Sequence, residues 1–126
     1  MSRRDPTVSL RHMLDHAREA ADMIRGKTRP DLDTDRKLNL AIVRLVDIIG
    51  EAASRIPKEE QRCFPDISWP GIISMRNRLI HGYDIVDFDV LWTILTTDLP
   101  PLITSLEKTL PPENSVGGTS GLEVVP

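Results

Sequence analysis

The spacing of hydrophobic residues predicts helices along most of the chain. From Val8 to about Gly26, apolar residues recur at helical intervals, and Gly26 lies where a helix commonly ends. Ser9 or Thr7 could cap the start of this helix. Residues 28–35 then predict a loop, because turn-forming and charged residues replace the apolar pattern.

The most regular pattern runs from about Asp35 to Ile56 and predicts a second, longer helix, with Asp33, Thr34 or Asp35 as its cap. Pro57 ends this helix, and the residues that follow could add one further turn. The apolar positions fall on one stripe: Leu38, Ala41, Ile42, Leu45, Ile48, Ile49, Ala52 and Ile56.

Two further helices are predicted in the second half of the chain. The third runs from about Trp69 to Ile80, and Gly82 marks its end. The fourth, capped by Asp87 or Asp89, continues to about residue 110, and the prolines at positions 100–101 predict a kink or break inside it.

These patterns predict an all-α fold, because the connections are short and no segment shows the alternation typical of a strand. We expect an antiparallel bundle of four to five helices in one domain, residues 1–110. Residues 111–126 contain turn formers without apolar periodicity and are expected to form a disordered tail.

Composition narrows the possible functions. The net charge of −3 means that a nucleic-acid site, if present, must be a local patch rather than a global cationic field. The single cysteine excludes an intramolecular disulfide and a cysteine-based zinc site. No segment reads as a signal peptide or a membrane span, so we expect a cytoplasmic protein without membrane contact.

The segment MRNRLIHGYD, residues 75–84, concentrates polar side chains on an otherwise apolar helix. A helical wheel places Arg76 near the middle of the apolar face and places Asn77 and His81 on the opposite side. A buried arginine needs a structural ion pair, a subunit contact or an anionic ligand, and the wheel leaves all three open. Taken alone, His81 could simply cap the helix end, and Tyr83 could be a half-buried packing residue.

The same wheel restricts how the segment can form a site. Positions five residues apart on a helix point about 140° away from each other. Arg76 and His81 can therefore meet on one ligand only if the helix distorts near Gly82, or if two chains contribute. The second alternative predicts a homodimer.

Arginine, asparagine and histidine side chains in one site are suited to metal-independent RNA cleavage. Imidazole transfers protons near neutral pH, and the guanidinium of arginine matches the oxygens of a phosphoryl group. Asn77 could orient His81 or donate a hydrogen bond to the phosphate. The sequence shows no carboxylate cluster with divalent-metal spacing, which argues against a two-metal nuclease.

The segment from Arg76 to His81 resembles the R-x4-6-H motif of the HEPN superfamily, and its extension to Tyr83 resembles the R-x4-H-x-Y motif of HepT-like ribonuclease toxins. The resemblance spans about residues 10–110. It also includes the segments IIGEAASRIP, FPDISWPGIISMRN, VDFDVLW and LPPL.

This resemblance implies an all-helical dimer in which Arg76, Asn77 and His81 cleave RNA, not DNA, without metal or cofactor. It also implies a toxin–antitoxin system, in which a minimal nucleotidyltransferase antitoxin neutralises the toxin by AMPylation of Tyr83. The alternative is a non-catalytic HEPN module that dimerises, binds nucleotide or docks a nucleotidyltransferase. A plain helical scaffold is a third interpretation, and it requires a carboxylate within reach of Arg76.

Four further residues have competing interpretations. Glu51 could pair with Arg76, but its place on the polar side of the second helix favours a solvated pair with Arg55. Gly50 is expected to allow close helix packing. Trp69 and Trp92 are expected in the core or an interface rather than stacked on bases.

Overall fold

A computed structural model of the chain describes residues 5–81 and 85–112, with only the backbone described at His81. The described part is mostly helical and contains only two short strands, which confirms the all-α class. The helices are α1 (Pro6–Met23), α2 (Asp31–Thr34), α3 (Arg36–Ser54), α4 (Lys58–Gln61), α5 (Trp69–Ile73), α6 (Met75–Leu79), α7 (Phe88–Thr93) and α8 (Leu99–Thr109). A π-helical turn (Ile94–Asp98) joins α7 to α8, and two short strands, β1 (Ile80–His81) and β2 (Ile85–Val86), follow α6.

Helix α1 begins directly after Asp5, whose side chain accepts a hydrogen bond from the backbone N–H of Thr7 at 2.9 Å. The predicted cap at Ser9 or Thr7 is therefore wrong. Ser9 is buried inside the helix, and Thr7 is the residue that donates to the cap. The predicted end is correct to within a few residues, since Gly26 has a φ of 79°, in the left-handed region that glycine tolerates.

Helix α3 begins after Asp35, one of the three predicted caps, whose side chain accepts from the N–H of Leu38 at 3.1 Å. The preceding residues do not form the predicted loop throughout, because α2 makes one helical turn there. The buried Asn39 of α3 donates to the carbonyl of Leu32 in α2 at 2.8 Å, which fixes that turn against the longer helix. Helix α3 in turn packs mainly against α1.

The third predicted helix is interrupted and ends early. Ser74 separates α5 from α6, and its hydroxyl donates to the carbonyl of Gly71 at 3.1 Å. After Leu79 the backbone becomes extended, and β1 pairs antiparallel with β2. The N–H of Asp87 donates to the Leu79 carbonyl at 2.8 Å, so the hairpin satisfies a carbonyl that the end of α6 leaves free. The sequence pattern did not predict these strands.

The fourth predicted helix changes to π-helical geometry at Ile94–Asp98, before the prolines at positions 100–101 where a kink or break was predicted. Asp87 caps α7 by accepting from the N–H groups of Asp89 and Val90. The helix then passes through the π-helical turn, and Pro100 and Pro101 lie in the first turn of α8. Proline is tolerated there because first-turn N–H groups have no partner within their own helix.

Buried aliphatic side chains from α1, α3, α5, α6, α7 and α8 form one hydrophobic core. In the described part of the chain, no helix combines the length and the apolar composition needed to cross a bilayer. Most of the predicted tail, residues 113–126, lies outside the described residues. The tail and the homodimer both remain predictions.

Gly50 of α3 provides the close helix contact expected from the sequence. A Cβ atom at this position would lie 3.2 Å from the carbonyl oxygen of Ile72 in α5. We predict that Gly50→Val lowers the free energy of unfolding by about 1–3 kcal/mol, because a branched side chain would push α5 away from α3. Chemical denaturation measures this loss. Lys37→Val at an exposed position of α3 is the control for a valine elsewhere in this helix. Valine has a higher helix propensity than glycine, so a loss at Gly50 no larger than the loss at Lys37 would contradict the packing argument.

Candidate active site

Arg76 lies on the surface, with 62% of its side chain exposed, so its predicted place in the apolar face is wrong. The wheel counted Ile73 and Ile80 in the apolar face, but in the structure Ile73 is exposed and Ile80 is only half-buried. Within α6, the buried residues are Met75 and Leu79, one turn apart. The residues between them, including Asn77, face outward.

A carboxylate on α3 holds Arg76 in place. The Nε atom of Arg76 lies 3.0 Å from Oδ1 of Asp47, and Nη1 of Arg44 lies 3.1 Å from Oδ2 of the same residue. This contact meets the requirement of the scaffold interpretation. Ion pairs this exposed contribute at most about 1 kcal/mol, however, so stability alone gives a weak reason for three charged residues here.

Two hollows meet at this ion pair, and both are lined by Asp47 and Arg76. The first, of about 420 Å³, is the Glu51 hollow, completed by Gly50, Glu51, Ser54, Ile73 and Asn77. The second, of about 200 Å³, is the Arg44 hollow, completed by Leu40, Val43, Arg44, Leu79 and Ile80. Together they form a groove that runs between α3 and α6.

Glu51 forms part of the groove wall rather than a defined ion pair. Among the described residues, it makes no salt bridge with Arg76 or with Arg55. Glu51 lies four residues after Asp47, so both carboxylates share one face of α3. That i,i+4 spacing is the sequence signal that could have identified Asp47, which we did not predict as a site residue.

Arg76 and Asn77 both lie on the groove, but the structure does not describe the side chains of His81 and Tyr83. The backbone of His81 lies in β1, two residues after the end of α6, and Tyr83 lies outside the described residues. Because the chain leaves the helix at Ile80, the 140° separation does not apply. The sequence predicted either a distortion of the helix near Gly82 or a contribution from two chains. The structure shows the first alternative, with the helix ending before Gly82. The geometric argument for two chains is therefore removed.

Arg78 has different surroundings from Arg76, although the two are neighbours in the motif. Its Nη2 atom donates to the carbonyl of Gly71 at 3.1 Å and lies 3.0 Å from a carboxylate oxygen of Asp98. These contacts connect α6 to α5 and to the π-helical turn. We therefore interpret Arg78 as a structural residue.

The tryptophans pack as predicted. Trp69 is buried, and its indole N–H donates to the carbonyls of Gln61 and Phe64. Trp92 is half-buried against the core. In the described part of the chain, no three His, Cys, Asp or Glu side chains are grouped closely enough to hold a metal ion.

Comparison with known proteins identifies the family. Residues 13–109 match the family described as ribonuclease HepT-like. The chain belongs to the HepT-like ribonuclease family. This confirms the predicted family and the enzyme class, a ribonuclease.

Several relatives of the HepT-like chain carry ribonuclease names. A protein of Thermococcus cleftensis named probable ribonuclease HepT is 38% identical over 99 residues, which cover 75% of this chain and 90% of the relative. A protein of Caldanaerobacter subterraneus, named provisionally as an RNase, is 31% identical over 108 residues, 86% of this chain and 96% of the relative. No solved structure was found to match.

Proposed function

We propose that this chain is a metal-independent endoribonuclease toxin of a HEPN/nucleotidyltransferase toxin–antitoxin system, acting in the cytoplasm. One observation carries the proposal. In a chain of the HepT-like ribonuclease family, Arg76 and Asn77 are exposed on a groove immediately before the strand that contains His81. The proposed catalytic residues are Arg76, Asn77 and His81.

The proposed role of Arg76 is to bind the scissile phosphate. Its Nε contacts Asp47, and neither terminal nitrogen has a partner among the described residues, so both can donate to phosphoryl oxygens. Asp47 also limits the rotamers of a long side chain, so less entropy is lost when RNA binds. Charge that develops on the phosphoryl oxygens in the transition state is thereby stabilised.

The proposed role of His81 is proton transfer. The ribose 2′-oxygen forms a bond to phosphorus while the bond from phosphorus to the 5′-oxygen breaks. The 2′-hydroxyl loses a proton and the leaving 5′-oxygen gains one, and imidazole can take part in such transfers near neutral pH. Asn77 lies on the wall of the Glu51 hollow, where its amide can donate to the phosphate or orient the imidazole.

A homodimer would cover exposed apolar side chains that adjoin the groove. Leu40 lies in the Arg44 hollow, Ile73 lies in the Glu51 hollow, and Ile85 pairs with His81 in the hairpin. Exposed apolar groups that adjoin a charged site are typical of an interface. In a two-fold symmetric dimer, the same surface patch of both chains would form the interface, and the two grooves would lie next to each other.

We predict that Leu40→Asp and Ile73→Asp each weaken the dimer at least about tenfold, because a carboxylate would be buried in an apolar contact. Sedimentation across a concentration series measures this change. Val8→Asp is the control, since Val8 is equally exposed but lies on α1. A dimer that resists both groove variants and dissociates with the control would place the interface elsewhere.

AMPylation of Tyr83 by a nucleotidyltransferase antitoxin is the proposed regulation. Tyr83 lies two residues after His81 in the sequence. An adenylyl group there would add bulk and a negative phosphate close to the proposed catalytic histidine. Both would oppose the binding of RNA.

The alternative is a non-catalytic HEPN module that dimerises, binds nucleotide or docks a nucleotidyltransferase. Arg76 is already paired with Asp47, which is the observation that favours it. RNA cleavage by the purified, unmodified protein separates the two functions.

A further inference from the structure

We propose that Arg44 is a second phosphate-binding arginine, which contacts a phosphate next to the scissile one. The inference rests on the proposed ribonuclease function and identifies the side from which RNA enters. It starts from the ion pairs around Asp47.

Asp47 is shared between two arginines. One carboxylate oxygen contacts Nε of Arg76 and the other contacts Nη1 of Arg44. The other ion pairs among the described residues differ in this respect. In each of them, the arginine contacts at least one carboxylate that no second arginine shares. These pairs are Arg18–Glu107, Arg25–Asp22, Arg29 with Asp33 and Asp89, and Arg78–Asp98. Two guanidiniums on one carboxylate give this group of three side chains a formal charge of +1.

The two hollows differ in charge because of this sharing. The Arg44 hollow is lined by two guanidiniums and one carboxylate, a formal sum of +1. The Glu51 hollow is lined by Arg76, Asp47 and Glu51, a formal sum of −1. These formal charges therefore favour a phosphodiester in the Arg44 hollow over one in the Glu51 hollow. Arg76 lies at the boundary, where it can contact a phosphate that arrives from either side.

Arg44 retains the hydrogen-bonding capacity for a phosphate. A guanidinium has five N–H groups, and the contact with Asp47 involves one terminal nitrogen. The side chain is 64% exposed, so binding would not require it to leave a buried position. Arg76 and Arg44 bind opposite oxygens of Asp47 and both line the Arg44 hollow, so the two guanidiniums can contact neighbouring phosphates of one RNA strand.

Binding of a short single-stranded RNA to the full-length His81→Ala protein tests the proposal. Fluorescence anisotropy over a range of salt concentrations gives the Kd and its salt dependence. Arg44→Ala should raise the Kd roughly tenfold and reduce the slope of log Kd against log salt by about 0.7, the loss of one phosphate contact. Arg44→Lys should restore most of the slope. In the enzyme with His81 intact, Arg44→Ala should raise KM more than it lowers kcat.

Arg55→Ala is the matched control, because Arg55 is exposed at the end of the same helix and lines neither hollow. If Arg44→Ala and Arg55→Ala have equal Kd values and slopes, the proposal is wrong, and the ribonuclease function stands if RNA is still cleaved. If Arg44→Ala dissociates the dimer in sedimentation experiments, Arg44 is a subunit contact instead. If RNA is bound through Arg44 but never cleaved by the unmodified enzyme, the phosphate site stands and the proposed function fails.

Discussion

Arg76→Ala is expected to lower kcat/KM for RNA cleavage by a factor of about 10² to 10³, because a phosphoryl-binding donor is lost from the transition state. The change should leave the fold intact. Arg76 is mostly exposed and its pair with Asp47 contributes little to stability. Steady-state cleavage of a labelled RNA measures the first effect, and thermal unfolding measures the second.

Arg78→Ala is the matched control, since it removes the same side chain from the same short helix. We expect it to lower the free energy of unfolding by about 0.5–1.5 kcal/mol, through loss of the contacts with Asp98 and Gly71. Cleavage per folded molecule should change little. Equal loss of cleavage in both variants would show that any disturbance of α6 inactivates the enzyme, and would remove the special role of Arg76.

Tyr83→Phe is expected to retain RNA cleavage and to escape neutralisation by the antitoxin. Incubation of the wild-type enzyme with the nucleotidyltransferase and ATP should abolish most cleavage and add the mass of AMP. Tyr83 is the only tyrosine in the chain, so a tyrosine-linked adduct can lie nowhere else. The variant lacks the phenolic oxygen that would accept the adenylyl group, so both its mass and its activity should remain unchanged. Neutralisation of the two forms to the same extent would contradict this regulation.

The long helices could be predicted because their signals are local. The apolar stripe of α3 and its Asp35 cap lie within one continuous segment, so the helix was correct to within two residues at each end. Gly50 was likewise assigned correctly to close packing, because glycine weakens the middle of a regular helix and its small size is the property that a neighbouring helix can use.

The errors arose where tertiary contacts override local periodicity. The wheel buried Arg76 because it counted Ile73 and Ile80 in the apolar face, whereas packing in the folded chain leaves Ile73 exposed and Ile80 only half-buried. Asp47 was overlooked for a related reason. Its i,i+4 spacing from Glu51 is visible in the sequence, but its pairing with Arg76 joins two helices far apart in the sequence, and no local pattern reports that contact.

The candidate site was found only in part. The motif led directly to Arg76 and Asn77, both of which line the groove. It could not identify Arg44 or Asp47, which lie on another helix. The roles of His81 and Tyr83 remain predictions, because the structure describes neither side chain.

Cleavage of RNA by the purified protein in excess EDTA, beside His81→Ala, tests the central proposal most directly. The protein should be prepared without the antitoxin, and its intact mass should show an unmodified tyrosine. We predict that cleavage by the wild-type enzyme survives EDTA and disappears in His81→Ala. If the folded, unmodified protein cleaves no RNA of several classes, or if EDTA abolishes the cleavage, a metal-independent ribonuclease is contradicted.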